Sequence, residues 1–412
     1  MHNNLKTRCG AALALLSAIG LAGCGGSSSG LLGNNGGNGG GGNGGADTLT
    51  AALTNLQKAT ADGRITESDR TALVAARTGF QNLVTAQGSN SQARAGLGLS
   101  ELGLVDLDGD ACVASALSNG STSGAADAAA LLNIANPSAA LAAASHVGNF
   151  RELAIGIAKA VALPIVADGS DRSGAQSCIA NGVLAKLTSA VQNLAAANTD
   201  PAVSIRVLSA NGRNTLRRAD LQILTGGVQT VQGLVGTNTA YNLDAGTFYT
   251  GKTFGNPLSF DTNRDFRLSP NEYLAPAPYG TLRSGGKAQL AAALTNLRGG
   301  LNSIEAGINA KIAETDSSSE AVQLTSTLRS QFNTALTQVP VTREVLTGVF
   351  TVPGTNITTN LAAYLNNPIA DLRTSAPTLT FDPVAGQVVP VTVPNRTFNG
   401  LFPNGLPTSF FG

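Results

Sequence analysis

Residues 289–313 read QLAAALTNLRGGLNSIEAGINAKIA, and this stretch decides the fold class of the chain. Its large apolar residues recur at spacings of four and three, at Leu290, Leu294, Leu297, Leu301, Ile304, Ile308 and Ile312. Because an α-helix has about 3.6 residues per turn, this spacing places them on one face. The stretch predicts a long helix, and we expect its apolar stripe to be buried core rather than binding surface.

A second apolar series follows the first after a polar turn. The turn is Asp316-Ser317-Ser318-Ser319, and the series after it is Leu324, Leu328, Phe332 and Leu336. Two helices that are joined by a short turn pack against each other in opposite directions. Residues 284–338 are therefore predicted to form an antiparallel helical hairpin.

The N-terminal half of the chain carries the same kind of pattern. Residues 47–235 contain several Ala- and Leu-rich stretches with helical spacing, among them Leu73, Ala76, Phe80, Leu83 and Val84. Thr66 and Asp69 form a candidate capping box at the start of that series. No strict repeat period runs through this half. The prediction is a mainly α fold, built as an irregular array of helical hairpins.

One helical pair in this region has a pattern of its own. Residues 76–104 place small and aromatic residues at facing positions: Ala76, Gly79 and Phe80 on a first helix, and Ala93, Gly96 and Leu97 on a second. Small residues at such positions let paired helices approach closely. The pattern resembles the helical pair of tetratricopeptide repeats, and this resemblance implies a tetratricopeptide-like body.

The remaining segments have a different composition. Residues 236–283 form an irregular segment that holds eight aromatic residues, from Tyr241 to Tyr279. Residues 339–412 are rich in Pro, Gly and Thr, and they end in the apolar run Phe410-Phe411. We expect the C-terminal segment to consist of short strands and loops that pack on the helical body.

The composition limits which residues can form the core and which classes of partner the chain can bind. Hydrophobic residues make up 42% of the chain but aromatic residues only 4%, with no Trp, so the core must be mostly aliphatic. The 26 basic and 25 acidic residues nearly cancel, which leaves no basic field to attract nucleic acid. We expect no nucleic-acid partner.

The N-terminus has the parts of an export signal. Lys6 and Arg8 precede an apolar run that is too short to span a bilayer. The stretch Leu21-Ala22-Gly23-Cys24 resembles the lipobox of bacterial lipoproteins. This resemblance implies that residues 1–23 are a signal peptide, and that Cys24 becomes an N-terminus carrying palmitate-type acyl chains.

The residues after Cys24 predict where the protein resides and how it is tethered. In the lipoprotein family an aspartate after the cysteine often retains the protein at the inner membrane, whereas Gly25 stands here. We therefore expect an outer-membrane lipoprotein that faces the periplasm or the cell surface. Residues 24–46 are almost entirely Gly, Asn and Ser, which predicts a flexible tether.

The cysteines are consistent with an oxidising compartment. Cys9 would leave with the signal peptide and Cys24 would be acylated, so Cys112 and Cys178 remain. We predict a disulfide between these two. A metal site and a reactive nucleophile are the alternatives, although no histidine stands near either cysteine.

One segment has the spacing of a metal loop. Residues 261–272 read DTNRDFRLSPNE and resemble the twelve-residue calcium loop of EF-hands. The resemblance implies ligands from Asp261, Asn263, Asp265, the Arg267 carbonyl, Ser269 through water, and Glu272. Leu268 stands where the family has an inward-packing apolar residue. We predict a lone structural calcium loop; the alternative is a polar turn with a capped helix start.

The departure from the family lies at Phe266. EF-hands have a glycine at this position because the backbone turns sharply there. A phenylalanine must either adopt the left-handed conformation or relax the turn. Whether calcium occupies the loop depends on that choice.

Histidine chemistry has little support in the sequence. His146 would be the only histidine after cleavage, no GxSxG pattern stands near it, and no HExxH pattern occurs. We predict no enzyme activity. An α-helical body, a calcium-type loop and the terminal segment resemble uncharacterised bacterial lipoproteins, and this resemblance implies no activity.

The combined prediction is a non-enzymatic outer-membrane lipoprotein. Its tethered helical body would serve as an interaction or structural module for an envelope protein partner, with the lipid anchor holding it to the membrane. The alternative is a periplasmic carrier that holds a small or apolar ligand between its helices. A deep apolar cavity would favour the carrier, and a groove open along its length would favour the interaction module.

Overall fold

The computed structural model describes residues 44–60, 65–118, 176–177, 179–207, 215–249, 251–252, 257–315, 320, 322–351, 357–381 and 388–405. In chain order the helices are α1 (Gly44–Ala59), α2 (Arg70–Ala86), α3 (Ser91–Ser118), α4 (Leu184–Ala197), α5 (Arg218–Thr239), α6 (Pro270–Tyr273), α7 (Gly286–Ala313), α8 (Ser326–Thr347) and α9 (Leu361–Asn366). The strands are β1 (Ser204–Arg206), β2 (Thr215–Arg217), β3 (Arg267–Leu268), β4 (Phe350–Thr351), β5 (Thr358–Thr359), β6 (Thr378–Phe381) and β7 (Val388–Thr392). The predicted fold class is confirmed: the protein is mainly helical, with short strands and loops toward the C-terminus.

Helices α2 and α3 form the pair that was predicted around residues 76–104. Phe80 is fully buried, and a Cβ at Gly96 would come within 2.3 Å of its ring. Leu73 lies against Gly103 in the same way. Because Phe80 faces Gly96 and the earlier Leu73 faces the later Gly103, the two helices run antiparallel. The close approach expected from the small residues is therefore present. At the start of this pair, the Thr66 N–H donates to the Asp69 carboxylate at 2.8 Å, as the capping box predicted.

Helix α4 packs on α3 and extends the same core. Leu187 and Leu194 are fully buried on its inner face. Strands β1 and β2 then form a short antiparallel hairpin, with Ile205 opposite Leu216. This hairpin leads directly into α5.

The main packing partner of α7 is α5, and glycines on both helices bring their backbones close together. A Cβ at Gly226 would lie 2.6 Å from the Gly300 carbonyl oxygen, and one at Gly307 would lie 2.7 Å from Ile223 N. Such contacts are possible only where two backbones nearly touch. The pairing of 226 with 300 and of 223 with 307 makes the helices antiparallel.

The leucine stripe of residues 290–312 is core, as predicted. Its members Leu290, Leu294, Leu301, Ile304 and Ile308 are buried. Ile304 and Ile308 belong to the same core cluster as the helices of residues 52–235. The core therefore crosses the boundary that the sequence placed between residues 47–235 and 284–338.

Helices α7 and α8 form the predicted antiparallel hairpin. The Arg298 guanidinium donates to the Leu346 carbonyl at 2.9 Å, and Arg329 donates to the Ile312 carbonyl at 3.3 Å. Phe332 is fully buried at this interface. The hairpin is thus real, but it is the minor contact of α7 and the contact with α5 is the major one.

The C-terminal strands pair and pack with the aromatic-rich segment. Strand β6 is the middle strand of a three-stranded antiparallel sheet, between β3 and β7. A small core lies beneath this sheet, formed by Tyr249, Phe260, Leu268, Ala275 and Phe381. In a separate cluster that includes Leu290 and Leu365, the hydroxyl groups of Tyr241 and Tyr364 form a hydrogen bond of 2.9 Å. These contacts attach residues 357–392 to residues 241–283.

Within the described ranges, none of the helices has both the length and the apolar character that crossing a membrane would need.

Candidate functional site

The backbone of the 261–272 loop turns twice through the left-handed region. Both Arg264 and Phe266 have φ of 60°. Phe266 therefore adopts the conformation for which glycine is usual, instead of relaxing the turn. For a residue with a side chain this conformation costs roughly 1–2 kcal/mol. Local interactions must hold the loop in this form.

Those interactions come from the first half of the loop. The Asp261 carboxylate is buried and accepts from the Phe266 N–H at 3.0 Å and from the Asp265 N–H at 3.3 Å. The Asp265 carboxylate accepts from the Arg267 N–H at 2.8 Å, and Asn263 Oδ1 accepts from the Asp265 N–H at 3.0 Å. Short acidic and amide side chains thus satisfy the backbone donors that the sharp turn exposes.

The Glu272 side chain stabilises the second half of the loop. Its carboxylate accepts from the Ser269 N–H and hydroxyl, both at 2.8 Å, and so forms a capping box at the start of α6. The other oxygen accepts from the Thr262 hydroxyl at 3.3 Å. Glu272 therefore ties the end of the loop to its beginning, and the capped helix start that was the alternative to a calcium loop is present.

The structure brings the predicted ligands into one turn without a formed metal shell. Asp261, Asn263, Asp265 and Glu272 lie within this turn and bond to its backbone or to one another. Among the described residues, no three His, Cys, Asp or Glu side chains are grouped so that they could hold a metal ion. Each carboxylate is engaged by a backbone N–H, which explains why they do not converge. The calcium site stays a prediction.

The loop is also a joint between two parts of the molecule. Leu268 is buried, as its position in the loop predicted, and it pairs with Leu379 of β6. The rings of Phe266 and Phe381 meet edge to face at 5.7 Å. The loop therefore contacts the C-terminal strands through Phe266 and Leu268, while Asp265 is exposed to solvent.

A cation near the loop was not foreseen from the sequence. Lys252 Nζ lies 4.1 Å from the ring centre of Phe248 and 4.9 Å from that of Phe260. It also donates to the Glu272 carbonyl at 3.3 Å. Cation–π contacts of this kind hold a positive charge over aromatic faces. The sequence separation between Lys252 and residues 261–272 does not indicate this contact, because the contact forms only in the folded chain.

A shallow polar groove lies on the exposed face of α8. It has a volume of about 480 Å³ and is open to solvent. Its lining residues are mostly uncharged and polar: Ser326, Arg329, Ser330, Asn333, Thr334 and Thr337. Their spacing follows one helical face, so the groove is a shallow polar strip on a single helix.

Several predicted features fall outside the described residues. Cys24, Cys178 and His146 lie there, and Cys112 lies in α3 without a described side chain. The lipid anchor, the tether and the disulfide therefore stay predictions.

Comparison with known proteins found no family model, no curated protein and no solved structure that matches this chain.

Proposed function

We propose that this chain is a non-enzymatic outer-membrane lipoprotein whose tethered helical body is a structural or interaction module. The open groove on α8 is the observation that carries the interaction role. Uncharged hydroxyl and amide groups along one helical face suit hydrogen bonding to an extended or helical partner segment. The lipid on Cys24 would keep this surface close to other envelope proteins.

A site-specific cross-linker tests the interaction role. We expect a photo-reactive residue at Asn333 to capture a defined envelope protein in intact cells, and Ser330→Arg to abolish the adduct by filling the groove. The same probe at Val74, which is 46% exposed on α2, is the control. Identical adducts from both positions, or none from Asn333, would reject the groove as an interaction site.

Single cysteine substitutions test the predicted lipid anchor. Cys24→Ala should leave the protein unprocessed or in the soluble fraction, because the acyl chains would be its membrane attachment. Cys9→Ala is the matched control, since Cys9 would leave with the signal peptide. Membrane fractionation of Cys24→Ala that equals the wild type would contradict the anchor.

Within this proposal, calcium stabilises the joint at residues 261–272. Asp261, Asn263, Asp265 and Glu272 offer the oxygen ligands that calcium prefers, and the Arg267 carbonyl and Ser269 would complete the shell. Binding requires Glu272 to exchange part of its capping contacts for the ion. The ion would draw the three carboxylates together, neutralise part of their charge and hold β3 against β6.

Thermal unfolding with calcium or with chelator tests this step. Calcium should raise Tm by mass action on the folded state, with saturation near roughly 10⁻⁴–10⁻³ M. Glu272→Gln should abolish the shift. Asp69→Asn is the control, because it removes a capping-box carboxylate outside the loop and should lower Tm while leaving the calcium shift intact. A wild-type Tm that does not respond to calcium would reduce the loop to a capped turn.

A further inference from the structure

The left-handed positions of the 261–272 loop hold residue types that the backbone does not favour there. Arg264 and Phe266 both have φ of 60°. Glycine adopts such a φ without strain, and asparagine and aspartate tolerate it better than other residues do. Asn263 and Asp265 stand one position earlier in each case, and neither has a positive φ. The backbone alone therefore does not explain an arginine and a phenylalanine at these two positions.

The exposure of these side chains shows that packing does not fully explain them either. Residues 262–267 form an unbroken run of exposed positions, so this part of the loop projects from the surface. Phe266 remains 43% exposed, although its ring packs edge to face on Phe381. A single exposed apolar side chain is ordinary, but strained backbone is concentrated at functional sites. Strain and exposure at the same residue indicate a side chain that contacts something outside the chain.

Two arginines flank the exposed ring in the sequence. Arg267 is exposed on β3, while the next residue, Leu268, is buried on the opposite face of the strand. In the part of the chain that the structure describes, the guanidinium groups of Arg264 and Arg267 have no ion-pair partner. Asp265 lies between them, and its carboxylate accepts the Arg267 N–H at 2.8 Å. Residues 262–267 thus carry two cations and one anion around an apolar ring.

This combination of groups has the chemistry that anionic lipid surfaces attract. A guanidinium offers several donors to phosphate oxygens, and each basic residue near an anionic bilayer adds to the attraction. A phenylalanine ring is accommodated at the boundary between headgroups and acyl chains. A projecting loop meets a flat surface directly, whereas a protein that bound the same ring would have to provide a pocket for it.

We propose that Arg264, Phe266 and Arg267 form a membrane-contact surface. The ring enters the headgroup region of an anionic bilayer, and the two guanidinium groups bind lipid phosphates. Two arginines and one ring give only weak, reversible attachment. The contact therefore orients a body that the proposed acyl anchor holds near the bilayer, and only this proximity rests on the proposed function. The contact requires neither the groove on α8 nor a metal ion.

Vesicle binding tests the contact without the anchor. The probe is the full chain from residue 24 with Cys24→Ser, mixed with chelator and vesicles of phosphatidylcholine alone or of equal parts phosphatidylglycerol and phosphatidylcholine. We expect stronger binding to the anionic vesicles, and salt should weaken it. Arg264→Gln and Arg267→Gln should each lower the partition coefficient about fivefold. Arg206→Gln, at an exposed arginine on β1, is the matched control and should change it little.

Phe266→Gly separates a contact role from a packing role. Glycine relieves the left-handed backbone and keeps the N–H that Asp261 accepts, so Tm should stay level or rise. Vesicle binding should nevertheless fall several-fold. Val349→Ser removes another apolar side chain, which is 53% exposed, and should leave binding unchanged. A lower Tm for Phe266→Gly would assign the ring to packing on Phe381 and overturn the proposal.

Two further outcomes of these experiments would overturn the membrane contact. One is equal or absent binding of the wild type to the two kinds of vesicle, and the other is binding that Arg264→Gln and Phe266→Gly leave unchanged. A photo-reactive residue at position 266 should also give lipid adducts in intact cells. Protein adducts without lipid adducts would assign the surface to a protein partner and reject the membrane. Fractionation of Cys24→Ala tests the anchor separately, so the anchor and the contact can fail independently.

Discussion

At the scale of single residues, Thr325 shows how one side chain starts a helix. Its hydroxyl accepts from the Leu328 N–H at 3.1 Å, which satisfies one of the backbone donors that the first turn of α8 leaves without a helical partner. The groove on α8 begins one residue later. The cap therefore positions the surface to which we assign the interaction role.

We expect Thr325→Ala to lower the free energy of unfolding by about 1 kcal/mol, because the Leu328 N–H loses its acceptor. Thr325→Ser should restore most of the loss. Thr334→Ala, at an exposed hydroxyl in the middle of α8, serves as the control and should change stability little. Chemical denaturation measures all three, and equal effects at 325 and 334 would show that the cap is not involved.

Phe266 shows how much of a residue's conformation the sequence can predict. The spacing of residues 261–272 predicted a sharp turn and flagged phenylalanine as unusual there, and the φ of 60° confirms the strained backbone. Asp261 supports this backbone locally by accepting the Phe266 N–H, and Phe381 adds a contact from far along the chain by packing against the Phe266 ring. No local pattern contains that contact.

At the scale of elements, the pairing of α5 with α7 depends on small residues that recur every seven positions. They are Ala219, Gly226, Gly233 and Ala240 near α5, and Gly286, Ala293, Gly300 and Gly307 on α7. The seven-residue spacing is visible in the sequence, but the leucine stripe of α7 predicts a hairpin with α8 and does not indicate α5 as the main partner. Knowing which helices meet requires the tertiary structure, because small residues also occur throughout exposed Ala-rich helices.

Adjacent glycines on α7 test this pairing. A Cβ at Gly300 would lie 2.5 Å from Thr230 Oγ1 and 2.7 Å from the Gly226 carbonyl oxygen, so Gly300→Ala should destabilise by about 1–3 kcal/mol. A Cβ at Gly299 would meet only the flexible end of Gln229 at 3.2 Å. Gly299→Ala should be neutral or stabilise by up to ~1 kcal/mol, since alanine favours helix. Thermal unfolding decides, and two equal effects would refute the close backbone packing.

At the scale of the whole molecule, half-buried tyrosines join the aromatic-rich segment to the C-terminal region. Tyr241 donates to the Ile369 carbonyl at 2.8 Å, and Tyr273 donates to the Pro377 carbonyl at 2.6 Å. Burial raises the pKa of Tyr273 to about 12, and it also raises the pKa values of Tyr241, Tyr249 and Tyr364. Four of the five tyrosines of the chain are thus held neutral by the fold.

This arrangement predicts alkaline instability. Because the folded pKa values exceed the unfolded value of about 10, the tyrosines stabilise fully below pH 10 and lose that contribution as the pH rises toward 12. Tyrosinate absorbance and loss of circular dichroism should rise together above pH 10. Tyr273→Phe should make the transition shallower. Tyrosines that titrate near pH 10 while the fold remains intact would argue against this coupling.

The predicted disulfide also acts on the whole molecule. A Cys112–Cys178 bond would close a loop of about 65 residues and stabilise the folded state by roughly 4 kcal/mol through the unfolded chain. Thiol labelling of the denatured, unreduced mature protein should modify neither cysteine, and Cys112→Ser should expose one reactive thiol. Labelling of both cysteines in the wild type would disprove the bond.

The sequence by itself determined the helical class, the buried face of residues 290–312, the hairpin of α7 and α8, and the turn at residues 261–272. These features depend on interactions between residues a few positions apart, so periodicity and capping residues encode them directly. The tertiary structure alone decided that α5 is the main partner of α7, that Lys311 gathers three carboxylates, and that Lys252 lies beside the loop. Each of these includes a contact between residues that are distant in the chain, such as Lys311 with Asp220, and depends on close packing or on charge contacts that no local pattern records.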